Sequence, residues 1–166
     1  MPGARVILSL LISHHPPAQY SRTIRIRLGR ARALRLCARC TGEAAGLVFT
    51  LCALGHLTHV PTPGLLAMSV VLPIPAIADW STQAMEWRES SNPIRLLTGA
   101  LFAAGCVLIG LLVARGAYVY SMAAMGIVGM EAALALRFLR RAGAIDRVME
   151  TFETYAEELI SRPCEE

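Results

Sequence analysis

The chain has 166 residues, 55% of them apolar and 17% charged, with a mean hydropathy of +0.50. Soluble domains average roughly 45–50% apolar and about 25% charged, so this is neither an ordinary soluble domain nor a disordered chain. The net charge of +4 comes from sixteen Arg and no Lys, which excludes Schiff-base and Walker-A lysine chemistry, and the five unevenly spaced Cys do not suit a secreted disulfide framework.

The first apolar stretch, Val6 to Ile12 after Arg5, is barely as long as a signal-peptide core. It is followed by His14-His15-Pro16-Pro17 rather than a small-x-small cleavage site. The expectation is a short amphipathic or buried segment on the inner face of a membrane. From Thr23 the chain alternates as Ile24-Arg25-Ile26-Arg27-Leu28 and passes Gly29-Arg30 before Ala31 to Leu36. Period-two alternation around a glycine predicts a small hairpin. Its basic face suits anionic lipid head groups, each Arg near the surface contributing about 1 kcal/mol. Few aromatics are present to stack on bases, so nucleic acid is not expected as a partner.

No charged residue occurs from Ala44 to Ala78, and the next clean runs are Leu96 to Ala114 and Gly116 to Met130. A spanning helix needs about 20 mostly apolar residues. Pro61-Thr62-Pro63-Gly64 divides the first run. Four spans are expected, at about 43–60, 65–83, 96–114 and 117–136. Their short connections predict antiparallel neighbours. The fold class expected is therefore an all-α integral membrane protein: a four-helix bundle with an N-terminal Cys/His knuckle and a C-terminal amphipathic helix. The segments are 1–42, 43–137 and 138–166. Eight Arg precede residue 40, Arg88 and Arg95 lie between spans two and three, and Arg137, Arg140 and Arg141 follow span four. The positive-inside rule then puts both termini in the cytoplasm of a cell-membrane protein.

Past the last span, Ile145, Val148, Met149, Phe152, Tyr155, Ala156, Leu159 and Ile160 recur at helical spacing, opposite Glu150, Glu153, Glu157 and Glu158. This acidic amphipathic helix suits a protein partner or a second copy better than an anionic bilayer.

Two features carry chemistry. Cys37-Ala38-Arg39-Cys40 is a C-x2-C pair ahead of the first span, with His14 and His15 upstream. Four such ligands can close a tetrahedral zinc site. Reactive thiols and inert cysteines stand as alternatives, although a thioredoxin-like pair would sit in a βαβ pattern that is absent here. The second feature is polar. Asp79, Thr82 and Gln83 share a helical face at the end of span two, and Arg95, Thr98 and Gly99 repeat that spacing at the start of span three. Ionisable groups at membrane depth face a partner or a cavity. Either Asp79 and Arg95 pair directly, or the cluster forms a pocket in which Arg95 and the Thr98 hydroxyl take an anionic head group. Asp79, Gln83, Arg95 and Thr98 are the candidate catalytic residues. Glu131 is expected to pair with Arg95 or Arg137. Gly42 and Gly46 form a G-x-x-x-G that permits close helix approach.

Cys37-Ala38-Arg39-Cys40-Thr41-Gly42, the Asp79-Trp80-Ser81-Thr82-Gln83 stretch and the Asn92-Pro93-Ile94-Arg95-Leu96-Leu97-Thr98-Gly99 stretch together resemble a family of small predicted membrane proteins of unknown function, domain of unknown function 2085. His14 stands where that family usually has Cys, an exchange that zinc tolerates and a disulfide does not. The resemblance implies architecture and no activity. Three functions follow as expectations. They are an accessory membrane subunit fixed by a zinc knuckle, a metal-dependent enzyme on an anionic lipid or small substrate at the cytoplasmic interface, and an ion carrier using Asp79 and Glu131.

Overall fold

The computed structural model describes residues 17–28 and 32–161. His14, His15 and Cys164 lie outside them. The N-terminal hairpin forms as the alternation predicts. Strand β1, Thr23–Leu28, pairs antiparallel with β2, Arg32–Cys37, in the register Thr23 to Cys37 and Ile26 to Leu34. A 3₁₀ segment, Pro17–Arg22, leads into it. The Thr23 hydroxyl donates back to the Tyr20 carbonyl at 2.7 Å, and the Arg35 guanidinium lies 4.2 Å over the Tyr20 ring.

Helix α1, Ala38–Cys52, starts directly at the end of β2 with Cys37 as its N-cap. It is shorter than expected. The chain leaves the helix at Ala53 and makes only one further turn, α2, Leu54–Leu57. Fifteen residues reach about 22 Å, short of a bilayer core of about 30 Å. Helix α3, Thr62–Val71, and helix α4, Ile74–Ala84, form one bent rod across Pro73. Pro73 lacks the N–H a straight helix needs there, which accounts for the bend. Helices α5, Asn92–Ala114, and α6, Tyr118–Arg141, are uninterrupted. Three helical rods are thus long and apolar enough to cross a membrane: Thr62–Ala84, Asn92–Ala114 and Tyr118–Arg141. They coincide with the second, third and fourth expected spans. Gly116 at φ +71° and Gly143 at φ +64° make the turns on either side of α6, a region of backbone space that other residues enter only at a cost.

The last helix, α7, runs Ala144–Ser161. Its first turns are docked rather than free. Ala144 is fully buried, and Arg147 lies 3.9 Å from Glu86 on the connection after α4.

The tightest packing among the described residues joins α1 to α5. A Cβ on Gly42 would strike the Leu96 backbone, one on Gly46 the Ala100 backbone, and one on Gly99 the Arg39 carbonyl. The G-x-x-x-G therefore brings two backbones into contact, and Gly99 answers from the facing helix. The bend at Pro73 is seated the same way, against Gly105 of α5. Away from this seam, Leu65, Leu108, Leu112 and Ala124 form a core between α3, α5 and α6. At that end Arg115 donates to the Val60 and Leu57 carbonyls at 2.8 and 2.7 Å, tying α2 to α5. Helix α6 is peripheral, with Val119 79% and Met122 73% exposed, as a lipid-facing helix requires.

The seam gives a test by substitution. Gly46→Ala should destabilise the protein by about 1–3 kcal/mol through overpacking. Gly129→Ala on α6 meets open space and should be neutral or stabilising by up to about 1 kcal/mol. Thermal unfolding in detergent reads both.

Candidate functional site

The site is assembled where α4 ends, α5 begins and the hairpin meets α1. Asp79 lies one and a half turns from the end of α4 and is 1% exposed. Both of its oxygens are occupied. Oδ2 accepts from Arg39 at 2.6 Å and from Gln83 Nε2 at 2.8 Å, and Oδ1 accepts from Arg88 at 2.8 Å. The Ser90 hydroxyl reaches the same carboxylate. Arg39 comes from the first turn of α1. Arg88 is brought back over the site by the left-handed turn at Glu86, φ 60°, where Trp87 N–H donates to the Thr82 carbonyl at 3.1 Å.

Asp79 and Arg95 do not pair directly, contrary to the first alternative drawn from the sequence. The carboxylate is already filled by closer donors, and Gln83 stands between the two residues. Its Oε1 accepts from Arg95 Nε at 3.1 Å and from Arg95 NH2 at 2.8 Å, while its Nε2 faces Asp79. Only this orientation of the amide satisfies both neighbours, since the flipped one would set NH₂ against a guanidinium and C=O against a carboxylate. The remaining Arg95 donors reach Asn92 Oδ1 at 3.4 Å and Glu89 at 3.5 Å. Glu89 also meets Arg22 at 3.4 Å, and Asn92 Nδ2 donates to the Thr23 carbonyl at 3.2 Å. The hairpin is thereby fastened to the start of α5.

Thr98 contributes no free hydroxyl. Its Oγ1 donates to the Arg95 carbonyl at 3.2 Å, as threonines inside helices often do. Thr82 does the same to Ala78. Glu131 meets neither Arg95 nor Arg137. Arg95 faces Gln83, Asn92 and Glu89 instead, and Arg137 is six positions away from Glu131, off the spacing at which helical neighbours meet. Glu131 Oε2 is buried without a hydrogen-bond partner among the described residues.

In front of this network lies a cavity of about 380 Å³. Arg22, Arg39, Arg95, Gln83, Cys37 and Cys40 face it, and Arg147 of α7 closes one side. Of the four polar candidates, Gln83 and Arg95 line the cavity, whereas Asp79 and Thr98 lie behind it. The thiols sit one helical turn apart, Cys37 buried and Cys40 exposed. No three His, Cys, Asp or Glu converge to hold a metal among the described residues, and the two thiols supply half of a tetrahedral set.

Arg39 and Arg88 were not singled out by the sequence reading. The available signal was Asp79 itself: a carboxylate at membrane depth requires cationic partners, and Arg39 lies at the same depth inside the cysteine motif.

Residues 18–109 match the family described as predicted membrane protein, DUF2085. The match covers more than half of the chain, and the protein belongs to this family, whose function is unknown. No curated protein and no solved structure shows significant similarity to the chain.

A double-mutant cycle separates the two arginines. Asp79→Asn should cost about 3–5 kcal/mol, because it leaves buried guanidinium charge uncompensated. Asp79 with Arg39 should show a coupling of about 1–3 kcal/mol, and Asp79 with Arg95, connected only through Gln83, about 0.5 kcal/mol. Unfolding of the single and double variants in detergent measures both.

Proposed function

We propose that this protein is a four-span accessory protein of the cell membrane that binds a phosphate-type anion at its cytoplasmic face. The observation that carries the reading is the cavity in which Arg22, Arg39 and Arg95 converge with the Gln83 amide. Guanidinium groups are the residues of choice for phosphate, because their fork of donors matches its oxygens. The three apolar rods supply most of the membrane domain. Helices α1 and α2, from Ala38 to Leu57, supply the short fourth crossing, supported by their seam with α5 and by Arg115 at the far end. The arginine-rich end is the cytoplasmic one by charge, with both termini on that side. Segments 1–42 and 138–166 then flank the membrane domain from the cytoplasm, and the acidic part of α7 faces a protein partner or a second copy.

Zinc is the metal that suits Cys37 and Cys40, with His14 and His15 completing four ligands. Such a closed site would hold the N-terminal segment over the cavity without taking part in chemistry. Binding is favoured over catalysis by the state of Asp79. A general base must reach the proton it removes, and this carboxylate is buried with both oxygens taken.

Three measurements test the reading. Tags at both termini and near Glu89 should report the cytoplasm, and one near Thr62 the outside. Elemental analysis should find about one zinc per chain, lost in Cys37→Ser and Cys40→Ser; metal-free wild type with both thiols freely alkylated removes the knuckle. Inorganic phosphate should raise the melting temperature of the detergent-solubilised protein. Arg22→Gln, at the rim of the cavity, should weaken that response at least fivefold with little loss of stability. Equal responses in both proteins would show that the cavity does not bind the anion.

A further inference from the structure

A second concavity, of about 500 Å³, lies between α1 and α5 and is lined by Ala44, Leu47, Phe102, Ala103, Cys106 and Val107. It meets the arginine cavity at Cys40 and Glu43, which line both. Along α1 it runs from Cys40 to Leu47, about 10 Å at the rise of a helix. A polar, arginine-faced chamber thus continues into an open, largely apolar groove along α1 and α5. Glu43 stands at the junction. It forms no ion pair among the described residues, although four arginines face the adjoining chamber.

This order of chemistries suits an amphiphile with an anionic head and an apolar chain. From the Proposed function reading we infer that chamber and groove form a single site for a single-chain glycerophospholipid of the lysophosphatidate type. Its phosphate lies among Arg22, Arg39 and Arg95, its free glycerol hydroxyl donates to Glu43, and its chain lies along α1 and α5. A carboxylate at the junction disfavours a second anionic group there and favours a hydroxyl donor. A chain in the groove exchanges lipid or detergent for α1 and α5, so each methylene strengthens binding by less than the about fourfold of transfer from water.

The experiment compares four probes on the full chain in detergent: inorganic phosphate, glycerol 3-phosphate, dodecanoyl lysophosphatidate and dodecyl phosphate. Lysophosphatidate should bind wild type at least tenfold tighter than glycerol 3-phosphate. Ala103→Trp, which fills the groove from its exposed side, should abolish that advantage and leave inorganic phosphate binding unchanged. Glu43→Leu should remove a several-fold preference for lysophosphatidate over dodecyl phosphate. If phosphate binds but the chain adds nothing, or Ala103→Trp has no effect, the lipid site is overturned while the anion cavity stands. If phosphate does not bind either, both fall. Should Ala103→Trp fail to fold, Val107→Trp gives the same comparison from the other end of the groove.

Discussion

A carboxylate buried at the edge of the membrane domain must be neutralised, and the arrangement of this molecule around Asp79 follows from that requirement. An isolated charge in such surroundings is so costly that it is found only with partners. Asp79 draws Arg39 from α1 and Arg88 from the connection after α4, and it passes the contact through Gln83 to Arg95 on α5. One side chain therefore fixes three elements relative to α4. The turn at Glu86 exists in a conformation that a non-glycine residue avoids. Its effect is to bring Arg88 back to within 2.8 Å of the carboxylate.

The backbone seam between α1 and α5 complements this charge network. Gly42, Gly46 and Gly99 remove the side chains that would hold the two helices apart. The close approach brings the start of α1, with Arg39 and both thiols, over the start of α5, where Arg95 lies. Packing sets the distance, and charge sets the register. Neither suffices alone: apolar contact in lipid gives little preference for one register over another, since lipid tails are as apolar as the side chains they replace.

Much of this was readable from the sequence, and the differences have physical causes. Charge-free runs located three rods long and apolar enough to span a membrane to within a few residues, and the alternation around Gly29 located the hairpin strands. The first expected span is matched only in part, by a helix that stops at Cys52 and one further turn, because a charge-free run does not record where a helix stops. The break at Ala53 leaves no Pro or Gly at that residue to announce it. The polar triplets come together as the spacing suggested, but Asp79 and Arg95 do not pair directly. Spacing along a helix tells which side chains share a face. It does not tell which of several arginines at equal depth will arrive first, and that was decided by the α1–α5 seam and the Glu86 turn.

The absence of lysine is part of the same design. An ammonium is a compact, strongly hydrated point charge, whereas a guanidinium offers five donors in a fixed plane. Arg95 uses Nε, NH1 and NH2 on Gln83, Asn92 and Glu89, and Arg115 at the opposite end holds two carbonyls at once. Among the described residues Arg22 engages Glu89 and Gln19 at the cavity wall, each at 3.4 Å. A lysine placed in the same positions would have to choose between the internal partner and a ligand. Arginine can hold several internal partners at once while its plane still lines the cavity. The cavity wall is therefore held in place by the protein's own hydrogen bonds.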